Sequence, residues 1–213
     1  MVDWIIEVLA NFNCRDETFF LAINLMDRHL CNTKRYLFFR NEKMMFFINR
    51  SINPDELHLI GITSMFIASK YEEIMPMKLS VLCEKAGYGT FTKEDIKDKE
   101  VEILESVGFD VMGPNLFSFV QLIANKLNVK EQMNPHQVLV FNDLMSYMSK
   151  MVTYEYAIVK NAKNSLLAAA VSLVCFKLFE QIEHNFNIAI NVFLFPLICW
   201  VLMNILTVLD SKC

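Results

Sequence analysis

An all-α protein is the fold class these 213 residues predict, and three observations predict it. Hydrophobic residues make up 54% of the chain and recur at helical spacing rather than in alternation. Glycine and proline number only five each, too few for the turns of a strand-based fold. Leu, Ile, Phe and Met are abundant enough to fill the core of one large domain or two small ones.

The bulk chemistry narrows the partners. Net charge is −4 and basic residues are interspersed with acidic ones, so no electropositive stripe awaits a phosphate backbone and no nucleic-acid partner is expected. Six cysteines (Cys14, Cys31, Cys83, Cys175, Cys199, Cys213) stand far apart without a C-x-x-C pair, and no secretory signal peptide precedes them. They read as reduced thiols of the cytosol or nucleus, packed in the core rather than ligating metal.

The first element is a short amphipathic helix over Val2 to Asn11, with Trp4, Ile5, Val8 and Leu9 along one side. Trp4 is either a core anchor or a cleft residue, and core is the expectation. Asp16 is placed to cap a helix to about Leu30 that buries Phe19, Phe20, Ile23 and Met26. Asp27 faces inward by that phase and is expected to be architectural. The stretch from Asn32 to Ile52 mixes basic and aromatic residues without a clean period and reads as a long irregular insertion.

Asn53-Pro54-Asp55-Glu56 supplies an N-cap, a proline at N1 and a glutamate at N3, a well-formed helix start. The helix that follows, Leu57 to Ile74, organises the chain. Ile67, Lys70, Tyr71 and Ile74 fall at i, i+3, i+4 and i+7, which sets a lysine inside an apolar stripe. Since an unpaired buried ammonium is costly, Lys70 must snorkel to water, meet a carboxylate, or be held for groups another molecule supplies. Met75-Pro76 ends this helix, and a short one from Lys78 to Ala86 leads to the turn Gly87-Tyr88-Gly89. Thr92 to Asp95 resembles a capping box with Asp in place of Glu, opening a helix through Val107 that Gly108 closes. Glu100 and Leu104 lie one turn apart on it, with Phe109 just after the cap, so one acid matches one base.

From Pro114 the pattern restarts with helices over Asn115 to Leu127, from Asn134-Pro135 to about Thr153, and over Asn164 to Phe179. Placing Lys177 on Lys70 also superposes Leu166 on Leu59, Leu167 on Ile60, Val174 on Ile67 and Glu180 on Glu73. That faint repeat suggests two related bundles joined near Met112-Gly113-Pro114, as domains 1–112 and 113–213. Phe186 to Leu209 carries no charge and is long enough to span a bilayer, but Pro196 and three asparagines interrupt it, and a greasy terminal helix is preferred.

No enzyme motif is present. There is no G-x-G-x-x-G, P-loop, G-x-S-x-G or H-E-x-x-H, and His29, His58, His136 and His184 are scattered. Binding without catalysis, cofactor or metal is therefore expected.

Asp3-Trp4, the run Glu17 to Leu30 (ETFFLAINLMDRHL), the block Leu57 to Ile74 with its SKYEE, and Thr92 to Val111 with Glu100 and Phe109-Asp110 resemble the cyclin box. The motifs occur in the right order over Val2 to Val111, in wording nearest the A/B mitotic type. A weaker pattern of Tyr154 and Asn164 to Ala170 resembles the second cyclin fold. The resemblance implies two tandem five-helix cyclin folds, the second degenerate. It also implies a non-catalytic regulator that binds and activates a cyclin-dependent serine/threonine kinase in cell division, in nucleus and cytoplasm. On that resemblance the kinase-binding residues are Lys70 and Glu100 within an apolar surface of Ile67, Tyr71, Ile74, Leu104 and Phe109. Trp4, Glu7, Leu57 and His58 would form a groove for docking substrates or inhibitors, although a glutamine is expected where His58 stands. Asp27 and Leu59 are assigned structural roles. The alternative is a non-activating or membrane-tethered scaffold with the same fold.

Overall fold

The computed structural model describes residues 1–39, 52–155, 158–159 and 162–184. Every regular element among them is helical: α1 (Val2–Asn11), α2 (Asp16–Phe39), α3 (Pro54–Glu72), α4 (Leu79–Lys85), α5 (Lys93–Ser106), α6 (Leu116–Lys126), α7 (Val129–Gln132), α8 (Pro135–Tyr154) and α9 (Asn164–His184). The chain divides into two compact units, Met1–Gly113 and Pro114–Cys213. The terminal segment Phe186 to Leu209 and residues 40–51 of the expected insertion lie outside the described residues. Among the described residues no helix is long and apolar enough to cross a membrane.

The starts of the helices follow their local chemistry. Asn53 accepts a hydrogen bond from the Asp55 amide, and Pro54, which has no N–H to satisfy, opens α3. Thr92 and Asp95 exchange reciprocal bonds of 2.8 and 3.1 Å in a complete capping box on α5. Those bonds hold the Asp95 carboxyl below its usual range, the Thr92 amide being the larger cause and its hydroxyl the second. Asn134 and Gln137 form another capping box on α8. At the far end of α5, Gly108 takes φ +68°, a left-handed turn that suits a residue without Cβ.

Two boundaries differ from expectation. Helix α2 does not stop near Leu30 but continues to Phe39, because Cys31 to Phe39 contains neither glycine nor proline to end the ladder. The first eight residues of the expected irregular stretch are thus helical. Helix α3 stops at Glu72 instead of Ile74, since Glu73 is extended at φ −96°, ψ 140°.

In the first unit α3 is the axis. Ile60 through Ser69 are buried without interruption, so this helix is enclosed on every side. Helix α1 can approach it because residue 61 is glycine: a Cβ there would lie 3.1 Å from Met1 Sδ and 3.3 Å from Trp4 Cζ3. Ile5, Leu25, Ile62, Met65, Leu82, Ile96 and Ile103, from five helices, are almost wholly removed from water. The second unit packs around Phe141, whose ring centroid lies 4.8 Å from Phe176 and 5.5 Å from Phe179, with Val120, Leu167 and Val174 buried around it.

Asp27 does not face inward. The inward face of α2 over its middle turns is Ala22, Leu25, Met26 and His29, at i, i+3, i+4 and i+7, and Asp27 stands beside that face, exposed as a residue but with its carboxyl sheltered enough to be pushed up to about 6. The buried polar residue is His29, 1% exposed, with Nδ1 2.7 Å from Ser106 Oγ on α5. Leu59 is half-buried, and its carbonyl accepts from Thr63 Oγ1 at 2.8 Å. Of the cysteines, Cys175 is buried, and burial pushes its thiol up to about 12. Cys31 is exposed rather than packed in the core.

Candidate functional site

The last turn of α3 and the third turn of α5 bring one cation and one anion together. Lys70 Nζ donates to Glu100 Oε1, with 40% of the lysine side chain exposed and 15% of the glutamate. The ammonium also stands 4.3 Å from the ring centroid of Phe66, whose π face attracts it. Lys70 therefore meets a carboxylate at the surface while its stem crosses apolar ground. Part of the pair remains open to solvent.

Large apolar groups close to the two charges in sequence face water. Tyr71 is 50% exposed, Phe109 67% and Ile74 97%, and Leu104 is half-buried between them in sequence phase. Ile67 does not share this surface. It is 4% exposed, because the position three residues before Lys70 points into the bundle that encloses α3. Ile74 reaches the surface from the loop after α3, not from the helix face its spacing suggested.

Two fastenings that sequence reasoning missed hold that surface in shape. Glu73 Oε1 accepts from the backbone N–H of Arg15 at 2.7 Å and from Thr18 Oγ1 at 2.5 Å, capping the start of α2 from across the unit. The Arg15 guanidinium adds contacts to Glu72 at 3.5 Å and Glu73 at 3.7 Å. This pins the loop that carries Ile74. On the other side, Arg28 Nη2 donates to Val107 O at 3.4 Å and to Asp110 at 3.3 Å, bracketing Phe109, whose φ is +59°. The Phe109 amide donates to Leu104 O at 2.8 Å. The sequence signal for both was a charged residue beside a helix end, visible only once the partner end is known.

Two of the expected groove residues, Trp4 and His58, meet in a second cluster. Trp4 packs edge-on against His58 at 4.6 Å between centroids, and His58 Nε2–H donates to Ala86 O at 3.0 Å. Phe91 and Tyr88 complete the ring at 5.5 and 6.1 Å from His58. Leu57 is half-buried and Glu7 exposed. The Trp4 indole N–H is buried without a hydrogen-bond partner. Tyr88 and Phe91 were not foreseen; the Gly87-Tyr88-Gly89 turn reads as punctuation, yet it places Tyr88 at φ +48° with its ring toward His58. Among the described residues no cluster of His, Cys, Asp or Glu is arranged to hold a metal ion.

Comparison with known proteins comes down to the same region. The family model described as "Cyclin, N-terminal domain" matches residues 1–112. Cyclin-A3-2 of Arabidopsis thaliana is 29% identical over 187 residues, covering 88% of this chain and 44% of that protein. Cyclin-A3-3 of the same plant is 30% identical over 176 residues, 83% of this chain and 47% of the relative. A G2/mitotic-specific cyclin-B of Arbacia punctulata is 27% identical over 173 residues, 81% and 36%. The chain thus spans less than half the length of each of these relatives.

Proposed function

Because the chain belongs to the cyclin family, we propose that it is a non-catalytic regulatory subunit that binds and activates a cyclin-dependent serine/threonine kinase. The observation that carries the proposal is the Lys70–Glu100 pair, partly open to solvent, in a unit where Tyr71, Ile74 and Phe109 are also exposed. A helix of the kinase laid on this surface would bury the apolar groups. Lys70 can donate to its carbonyls and Glu100 can accept from its amides.

Activation in this reading is a population shift. The surface binds the kinase better when the kinase's C-helix is swung inward, where the helix glutamate pairs with the catalytic lysine, so binding energy stabilises the active arrangement. The kinase brings the ATP and Mg²⁺ sites. The Trp4, Glu7, Leu57 and His58 cluster, extended by Tyr88 and Phe91, is assigned to docking of substrates or inhibitors. We infer also that the second unit is a degenerate copy of the first, supported by the alignment of α9 on α3.

The test mixes the purified chain with candidate cyclin-dependent kinases. The Lys70→Ala, Glu100→Ala double variant is expected to lose roughly 2–5 kcal/mol of binding, as truncated charge pairs do at other interfaces. A histone-type phosphorylation assay is expected to show kinase activity rising with wild type and not with the variant. Equal binding by both would remove the proposed site, and binding without activation would make the chain a scaffold.

A further inference from the structure

A cavity of about 630 Å³ lies where the end of α1 faces the loop between α3 and α4. Its walls include Phe12, Met77 and Val81, and one side is α4 with its N-cap Lys78, so that Lys78, Val81 and Lys85 stand at i, i+3 and i+7 and share a face. Both lysines are exposed, and neither has an ion pair among the described residues. The third cation, Arg15, is already engaged by Glu72 and Glu73. The acid lining the cavity, Glu73, has its Oε1 taken by the Arg15 amide and Thr18, and its side chain is 13% exposed. Burial, with the Glu73 charge second, pushes the Cys14 thiol up to about 11, so near neutral pH it adds no anion there. In a chain of net charge −4, this is a local excess of positive charge beside apolar walls.

We propose that this cavity docks an acidic, extended peptide segment of a partner protein, with two carboxylates three residues apart and an apolar side chain between them. The spacing follows from geometry. Seven residues along a helix separate the Cα atoms of Lys78 and Lys85 by about 10 Å. A polyproline-II segment repeats its side-chain direction every third residue, about 9 Å along its axis, so acids at i and i+3 reach both ammonium groups from one side. The intervening apolar residue, turned about 120° from the acids around the segment's axis, then faces the Phe12 and Met77 side of the cavity, which Val81 borders. The site is distinct from the kinase surface, touching it only at Ile74, and does not depend on that assignment.

The experiment titrates the full chain into a fluorescein-labelled Gly-Glu-Leu-Pro-Glu-Gly peptide and follows fluorescence anisotropy. Saturable binding is expected that weakens about tenfold or more in the Lys78→Glu, Lys85→Glu variant and falls as salt is raised. Filling the cavity with Val81→Trp is expected to weaken it about fivefold or more, because the apolar side chain loses its place. Lys97→Glu, on exposed α5, is the control for diffuse charge attraction and is expected to leave binding unchanged. A peptide with both acids replaced by lysine is expected to bind the Lys78→Glu, Lys85→Glu variant and not wild type. Melting curves of each variant verify that the fold is intact. Absence of saturable binding would overturn the proposal. So would a loss in Lys97→Glu equal to that of the double variant, or a folded Val81→Trp protein that binds as wild type does.

Discussion

Helices α3 and α9 carry the same pattern 107 residues apart, yet only one of them becomes part of a site. Four buried positions coincide: Ile60 with Leu167, Gly61 with Ala168, Ile67 with Val174 and Ala68 with Cys175. Their exposed positions do not. Phe66 is 9% exposed where its counterpart Leu173 is 54%, and half-buried Leu59 answers to Leu166 at 47%. Helix α3 is sheathed by α1, α2, α4 and α5, whereas among the described residues α9 packs on α6 and α8. The charged ends differ as well. Lys70 has Glu100 beside it, while Lys177 is exposed without an ion pair among the described residues. An apolar helix ending in a lysine is therefore not a binding feature by itself; a second helix must deliver the acid and the exposed apolar rim.

The comparison is broken most severely by hollowing the enclosed helix. Ile62→Ala is expected to cost roughly 2–5 kcal/mol, since Ile62 is wholly buried and the surrounding helices relax only partly around the lost methylenes. Leu173→Ala on α9 is expected to stay within about 0.5 kcal/mol, as surface substitutions do. Urea unfolding of the two variants measures the contrast, and equal losses would show that α9 is as enclosed as α3.

The next effect concerns how the rim of the site is held. Arg28→Ala removes both bonds that bracket Phe109, one of them to a carboxylate. A loss of about 1–3 kcal/mol of stability is expected, with Arg28→Lys recovering only part because it lacks the guanidinium fork. Hydrogen exchange at the Phe109 amide, bonded to Leu104 O, is expected to speed up in Arg28→Ala while that at Ile62 changes far less.

A third prediction follows from the buried histidine. His29 Nδ1 lies 2.7 Å from Ser106 Oγ, which is also 2.7 Å from Ile103 O, and Nε2 faces Glu102 at 3.8 Å. Burial lowers the His29 pKa below the usual 6.5, opposed by the Glu102 charge, reinforced by Lys99 and again opposed by Glu56. Between its folded and unfolded pKa values the unfolded chain binds more protons, so stability is full above about 6.5 and is lost as pH falls below it. The expected slope is at most about 1.4 kcal/mol per pH unit for one group. Urea titrations at pH 7.5 and 5.5 read it as the difference between wild type and His29→Phe, because Asp27, pushed up to about 6 by burial, titrates in the same window with the opposite sign in both proteins.

Much of the architecture was legible because it rests on local rules. The caps at Asn53, Thr92 and Asn134, the proline at N1 of α3 and the glycine after α5 are short-range signals that the chain obeys. Lys70 and Glu100 were legible as charges within apolar phases. What was not legible depends on which distant ends meet. Nothing local ties Glu73 to the start of α2, and Asp27 looks inward by phase although His29 holds that face. Helix α2 outran its expected end because no residue tells it to stop. Ile67 was assigned to the surface by the cyclin resemblance and by its place in the Lys70 stripe, and neither distinguishes a helix buried on one face from one buried on all.

The smallest expected effect bears on why the two charges are kept at all. Within the isolated chain the Lys70–Glu100 contact is too open to matter greatly for folding. The lysine is 40% exposed, so screening leaves such a pair worth about 0.2–1 kcal/mol, and the Lys70→Met, Glu100→Gln double variant should unfold in urea nearly as wild type does. The same double variant should lose most of its kinase binding, because the partner's amides and carbonyls would then be desolvated against groups that no longer match them. A large stability loss would assign the pair to holding α3 against α5; a small one together with lost binding would assign it to the partner, and it would separate α3 from α9 by function as well as by burial.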